Sequence, residues 1–253
     1  MIPHIIHLCW FGKGEYPLLA QKCINSWRRF LPDYEIKLLN EDSFDIEANE
    51  YTKNAYKEKK WAFISDYVRL YALEKFGGVY MDTDLEVIQD FSKLLKKHAF
   101  VSSTLEGGLI TAGFIAAIPQ HPYIKALKSK YDDGYFNMAD GTIKFIMNPL
   151  LFTKVASEMY GYKIGDFKFE VSRQFVIYPM KYFMPYRKTL FGKNKYRHRK
   201  YYITKETYAI HHDMGSWGKE SKISWYKRAF ARQIIPRSIY LRLKEKKYRK
   251  LLE

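Results

Sequence analysis

Two aspartates stand two residues apart in the stretch Gly77-Gly78-Val79-Tyr80-Met81-Asp82-Thr83-Asp84-Leu85-Glu86-Val87, inside an otherwise apolar run. A strand that only packs a core has no use for them. Side chains alternate across a strand, so Asp82 and Asp84 are expected on one side and Thr83 on the other. Two like charges so placed repel unless something positive lies between them or one takes up a proton. A hard divalent cation, Mg2+ or Mn2+, answers this, because such ions take oxygen ligands and keep open positions for phosphate oxygens. The chemistry would be Lewis-acid neutralisation of a leaving diphosphate.

A second pair precedes it. In Ser65-Asp66-Tyr67-Val68-Arg69 the aspartate and arginine are three apart, hence on one face of a helix. One reading is an intrahelical ion pair. The other is a clamp on sugar hydroxyls, with Asp66 accepting and the rigid fork of Arg69 donating. Further on, His211-His212 follows the apolar Tyr208-Ala209-Ile210. A neutral imidazole is a metal ligand, and neighbours on a strand face opposite ways, so one of the two reaches a site; His212 is the favoured one.

These groups need elements to hold them. Ile2–Phe11 reads as a buried first strand and Leu18–Phe30 as a helix with Leu19, Cys23, Trp27 and Phe30 on one face. Tyr34–Leu39 reads as a strand. Residues 58–76 form the strongest helical pattern, stopped by Gly77-Gly78, and Val79–Asp82 is the next strand. Strands are expected at 100–104, 113–117, 175–179 and 208–211, and helices at 122–131 and 143–160. Such alternation predicts an α/β domain with a mostly parallel sheet, whose ligands bind beyond the carboxyl ends of the strands. Trp10-Phe11-Gly12, Asn40-Glu41-Asp42 and Asp82-Thr83-Asp84 all fall on that rim.

The block WAFISDYVRLYALEKFGGVYMDTDLEV resembles the signature of family 32 glycosyltransferases, the DXD sugar-binding group, which includes bacterial capsular polysaccharide transferases and fungal α-mannosyltransferases. The spacing is also similar to that of the clostridial glucosylating toxins. IPHIIHLCWFG and AIHHDMGSW resemble the ends of the group's shared region. The resemblance is strong over residues 1–90, loose over 100–217 and absent from 218–253.

The resemblance implies a GT-A, Rossmann-like fold over residues 1–217 and a retaining transfer from a UDP-sugar. Asp84 is then a direct metal ligand, and Asp82 contacts ribose or donor sugar and assists the metal. Asp66 and Arg69 hold donor-sugar hydroxyls beside Ser65. Trp10, whose other reading is core packing, stacks on the base. Tyr80 borders the nucleotide or serves the core. Ser216 and Trp217 close over the diphosphate, the indole N–H donating to phosphate. Asp66, Arg69 and Asp82 are the candidate catalytic residues, with a front-face mechanism favoured and Asp66 the candidate nucleophile otherwise. One departure is plain: relatives often carry Asn before the glycine where this chain has Ala112-Gly113.

Composition bounds the rest. The chain has 253 residues with 43 Lys and Arg against 27 Asp and Glu, a net +16 that favours anionic partners. Residues 218–253 hold twelve Lys and Arg against three Glu, and residues 187–200 hold seven and none. The stretch 223–252 predicts two helices broken at Pro236. It suits either an anionic membrane surface or docking on the protein's own core. No helix-turn-helix, zinc or RNA-binding motif supports a nucleic-acid partner. Two cysteines, with no basic start or cleavage site in the opening residues, lead to the expectation of a cytoplasmic protein peripheral on the inner face of the membrane. The acceptor expected is a glycan, lipid-linked, in surface or capsular polysaccharide assembly. The alternatives are a toxin-like protein glycosyltransferase, or a non-catalytic basic protein that binds membrane or nucleic acid.

Overall fold

The computed structural model describes residues 1–134, 148–165, 167–189, 199–212 and 235–252. Its centre is a seven-stranded sheet. The strands are β1 (Ile5–Cys9), β2 (Glu35–Leu39), β3 (Gly78–Met81), β5 (Phe100–Thr104), β6 (Ile110–Ala117), β7 (Phe169–Val171) and β8 (Phe175–Tyr178), in the order β2-β1-β3-β6-β5-β8-β7. β1 pairs parallel with β2 and β3, and β5 with β8, while β6 and β7 run against their neighbours. Five strands therefore share one direction, and the sheet is largely parallel as expected. The reversed central strand β6 is the feature that the alternation of elements does not reveal.

Residue alternation divides the interior in two, because each strand sends successive side chains to opposite faces. Val79, Met81, Phe114, Ala116 and Val176 enter one cluster with Trp27 and Ile24 of α1 (Leu18–Phe30). Tyr80, Ile115, Ala117 and Ile177 enter the other. That second layer is built by α2 (Glu50–Lys57), α3 (Trp61–Phe76), α5 (Pro122–Asp132) and α6 (Asn148–Tyr160). Helix α3 packs against α2, α5 and β1, so it is buried nearly all round, including Asp66 and Arg69. A short α4 (Ser92–Leu95) follows β4 (Leu85–Val87).

The expected helix over 58–76 starts later, at Trp61, and a separate helix precedes it. Asn49 caps α2 by accepting from the Tyr51 N–H, a local bond that ends one element and begins another. At the other end of α3, Gly77 and Gly78 have φ of 63° and 98°. A Cβ on Gly78 would lie 2.6 Å from the Ile5 carbonyl, so only glycine lets β3 enter beside β1.

Two antiparallel ribbons complete the described residues: β9 (Arg187–Thr189) with β10 (Arg199–Tyr201), and β4 with β11 (Ala209–His211). Helix α1 fixes β4: the Trp27 indole donates to Leu85 O at 2.7 Å, and Val87 N–H donates to Ser26 Oγ at 2.9 Å. A final helix, α7 (Arg237–Leu252), follows. The first helix expected in the basic tail, and Ser216 and Trp217, lie outside the described residues.

Candidate active site at the carboxyl edge of the sheet

Strand β3 ends at Met81, so Asp82 and Asp84 do not alternate on a strand as the spacing suggested. They belong to a turn, closed by Leu85 N–H donating to Asp82 O at 3.0 Å. The turn brings both carboxylates round to a third group. His211 Nε2 lies 3.2 Å from Asp84 Oδ1 and 3.5 Å from Asp82 Oδ2. One ligand atom from each of the three residues can be chosen within 4.8 Å of the others.

The structure corrects the choice between the histidines. Ribbon pairing sets His211 opposite Leu85 and sends its ring to the aspartates. His212 turns the other way: Nε2 meets Glu86 at 2.8 Å, Nδ1 meets the Tyr201 hydroxyl at 3.1 Å, and its N–H donates to Asp84 O at 2.9 Å. Lys22 closes this second cluster at 2.8 Å from Glu86. His212 therefore anchors the ribbon while His211 faces the site.

Arg69 is the hub beneath the turn. Its guanidinium lies 3.0 Å from Asp66 Oδ1 and 3.4 Å from Asp82 Oδ1, and donates to Ala112 O at 2.7 Å and Ser65 O at 3.0 Å. It also covers the Tyr80 ring, 4.4 Å from the centroid. The Tyr80 hydroxyl donates to Asp82 Oδ1 at 2.8 Å, so this buried tyrosine orients the aspartate. The residue in the Asn position of relatives, Ala112, thus serves through its backbone carbonyl. Gly113 next to it allows the closest approach: a Cβ there would meet Asp82 Oδ2 at 2.8 Å and His211 Nε2 at 3.1 Å.

Electrostatics follow from burial. Asp66 is fully buried, and burial, opposed by Arg69 but joined by Asp82, holds its carboxyl well above the usual range. Neither Asp66 oxygen has a hydrogen bond of good geometry despite the contact with Arg69. Burial works against a charged His211, but Asp84 and Asp82 outweigh it and hold the imidazole well above its ordinary value. Burial pushes the Cys9 thiol, at the end of β1, up to about 12, so it is an inert wall.

The donor-side rim is less closed. Trp10 is half-buried after β1, donates its indole N–H to Gly14 O at 2.5 Å, and packs on Tyr16 with centroids 4.8 Å apart. Glu41 accepts from Gly12 N–H at 2.7 Å, which joins the Trp10–Gly12 turn to the Asn40–Asp42 loop. Ser65 donates to Trp61 O at 3.2 Å within α3. Sequence reasoning narrowed the third group to His211 or His212 and favoured His212; it missed the Tyr80 hydroxyl as a support for Asp82, and Gly113, of which only Gly113 left a local signal, a glycine inside a strand.

Residues 17–101 match the family described as "Glycosyltransferase sugar-binding region containing DXD motif". Among curated proteins, inositol phosphoceramide mannosyltransferase 1 of Schizosaccharomyces pombe is 28% identical over 149 residues, 53% of this chain and 45% of that protein. Mannosyl phosphorylinositol ceramide synthase SUR1 of Saccharomyces cerevisiae is 27% identical over 173 residues, 65% of this chain and 44% of that protein. The chain thus spans less than half the length of these curated relatives. The solved PaToxG glycosyltransferase superposes with a TM-score of 0.46 at 19% identity, over 63% of this chain and 70% of that one. Asp66, Arg69, Asp82 and Asp84 all fall inside the segment that matches this family, residues 17–101.

Proposed function

We propose that the chain is a metal-dependent, retaining glycosyltransferase that moves a sugar from a nucleoside diphosphate sugar, a UDP-sugar in the first instance, to a lipid-borne acceptor. The observation that carries this reading is the convergence of His211 on Asp82 and Asp84, the two aspartates of the DXD region. The residues fit a hard divalent ion, Mn2+ or Mg2+. Two carboxylates and an imidazole meet, with His211 Nε2 3.2 Å from Asp84 Oδ1 and in no well-aligned hydrogen bond. When bound, the ion neutralises charge developing on the leaving diphosphate.

The chain's own residues do the rest. Tyr80 and Arg69 hold the Asp82 carboxylate in place before any ligand arrives. Asp66, with acceptor oxygens that lack hydrogen-bonded partners, takes donor-sugar hydroxyls together with Arg69. Trp10 supplies an aromatic face for the base at the end of β1. The acceptor class is favoured by two hints. The resemblance to capsular transferases implies lipid-linked glycans, and the curated relatives are named for mannosyl transfer to an inositol phosphoceramide. Both acceptors are carried on lipid.

Metal binding should depend on pH with a definite sign. His211 has a raised pKa in the metal-free protein, so its charged form adds stability that is complete below about pH 6.5 and fades as pH rises through the folded value. An ion needs the neutral ring, so Mn2+ affinity should rise over that same upper window, with close to one proton released per ion. Calorimetry in buffers of different ionisation enthalpy measures this; His211→Ala should abolish the release.

The test of function is a donor screen. The full chain, with and without Mn2+, is offered UDP-sugars and GDP-mannose, and slow donor hydrolysis is followed, which needs no acceptor. Metal-dependent hydrolysis of one donor is the expected result. A well-folded chain that binds no nucleotide sugar under any metal condition would sink the reading.

A further inference from the structure

Helix α7 has two faces with different tasks. Its inner face is docked. Tyr240 is buried and meets Tyr186 with centroids 6.3 Å apart, and the Arg237 guanidinium lies 5.2 Å from the rings of both Tyr186 and Tyr202. Lys244 Nζ reaches Glu106 at 2.9 Å, and Arg249 donates to Ile164 O at 2.8 Å. Tyr248 fills the space where a Cβ on Gly107 would stand, 2.7 Å away.

The outer face makes no such use of its residues. Spacings of three and four place Ile239, Leu243, Lys246 and Lys250 in one row, flanked by Arg242 and Lys247, with Leu251 at the edge. All seven are exposed; Ile239, Leu243 and Leu251 are 49%, 55% and 57% accessible. The one acid of the helix, Glu245, is paired with Arg249 at 2.7 Å and so subtracts nothing from the outer charge.

We propose that this outer face is a docking surface for an anionic lipid bilayer. Charge complementarity supplies the first argument: four cations without an acid, on a chain of net +16. The second is that aliphatic side chains are interleaved among the cations. A phosphate backbone has no use for exposed Ile and Leu, whereas the acyl boundary takes them up while lysine stems bury and their heads stay in water. Among the described residues no helix is long and apolar enough to cross a membrane.

The position of the helix gives the contact a direction. α7 docks on residues 106 and 107, in the connection between β5 and β6. β5 runs parallel to β3, because both pair antiparallel with β6. That connection therefore stands on the same edge of the sheet as Asp82 and Asp84. A bilayer held by α7 lies toward the edge where a lipid-borne acceptor must arrive. The acceptor half of this statement rests on the function proposed above; the bilayer contact does not.

Flotation of the full chain with phosphatidylcholine vesicles, with and without added phosphatidylglycerol, tests it. The chain should float with the anionic vesicles alone. The triple change Lys246→Gln, Lys247→Gln, Lys250→Gln should lower the partition coefficient on the order of 100-fold. Ile239→Ser with Leu243→Ser should lower it about 10-fold or more. All five positions are exposed, so melting temperature and vesicle-free donor hydrolysis should match the parent chain. Equal flotation of parent and variants, equal flotation with neutral vesicles, or no flotation of the parent overturns the proposal. So does retention on duplex DNA that the lysine changes abolish while vesicles are ignored. A chain that hydrolyses donor but never floats refutes the bilayer surface alone; one that floats but never hydrolyses refutes the transferase reading alone.

Discussion

Asp84→Ala will lose Mn2+-dependent UDP binding and at least about 1000-fold of donor hydrolysis, the several kcal/mol that a Lewis acid supplies to a leaving group. The carboxylate is nearly buried 3.2 Å from His211 Nε2, and alanine leaves no side-chain oxygen there to hold an ion. The fold should survive. The turn is closed through backbone groups, Leu85 N–H to Asp82 O and His212 N–H to Asp84 O, which alanine keeps. His211 also loses the stronger of its two acidic neighbours, so its pKa should fall toward its ordinary value in the variant. Calorimetry with Mn2+ and UDP reads the first effect and imidazole NMR shifts read the second. Undiminished metal-dependent binding in the alanine variant would remove Asp84 from the site.

The contrast between Asp84 and His211 shows what a sequence can disclose. Asp82 with Asp84, and Asp66 with Arg69, announce themselves because their partners lie two or three residues off, within reach of local geometry. The glycine pair after α3 is legible for the same reason, since positive φ is a property of single residues. His211 is different. Its direction depends on the register of β11 against β4, more than a hundred residues earlier, and one step of slip would have presented His212 instead. The Tyr80 hydroxyl on Asp82 depended on where β3 stops. A strand continued to Asp84 would have carried both aspartates past it, and the turn is set by contacts with Gly113 and α1 that no window of β3 contains. Helix α2 escaped because eight residues with Tyr51 and Ala55 buried give too short a period to register.

Asp66 and Arg69 should separate stability from activity more sharply than any other pair in the molecule. Arg69→Ala removes the counter-charge of a fully buried carboxyl and leaves the Ala112 carbonyl without its guanidinium donor. Breaking a buried pair from one side costs about 3–5 kcal/mol. The variant should therefore unfold at much lower urea and lose donor hydrolysis with its stability. Asp66→Asn is the opposite case. The side chain keeps its size, sheds a charge that burial already disfavours, and gains an amide where no good hydrogen bond was made. Stability should stay within about 1 kcal/mol of the parent, since burial already holds the Asp66 carboxyl toward its neutral form and Asp82, 3.4 Å from the Arg69 guanidinium, remains as a counter-charge. Yet donor hydrolysis should fall on the order of 100-fold, because sugar hydroxyls that donate to the carboxyl favour its ionised form, which accepts with both oxygens, whereas the amide accepts with one atom and donates with the other. Natural chains seldom keep a buried carboxyl without hydrogen bonds unless its oxygens are needed for something that arrives later. An Asn variant as active as the parent would show that Asp66 is only the counter-ion of Arg69, and the donor sugar would then have to be held by Asp82 and Arg69 alone.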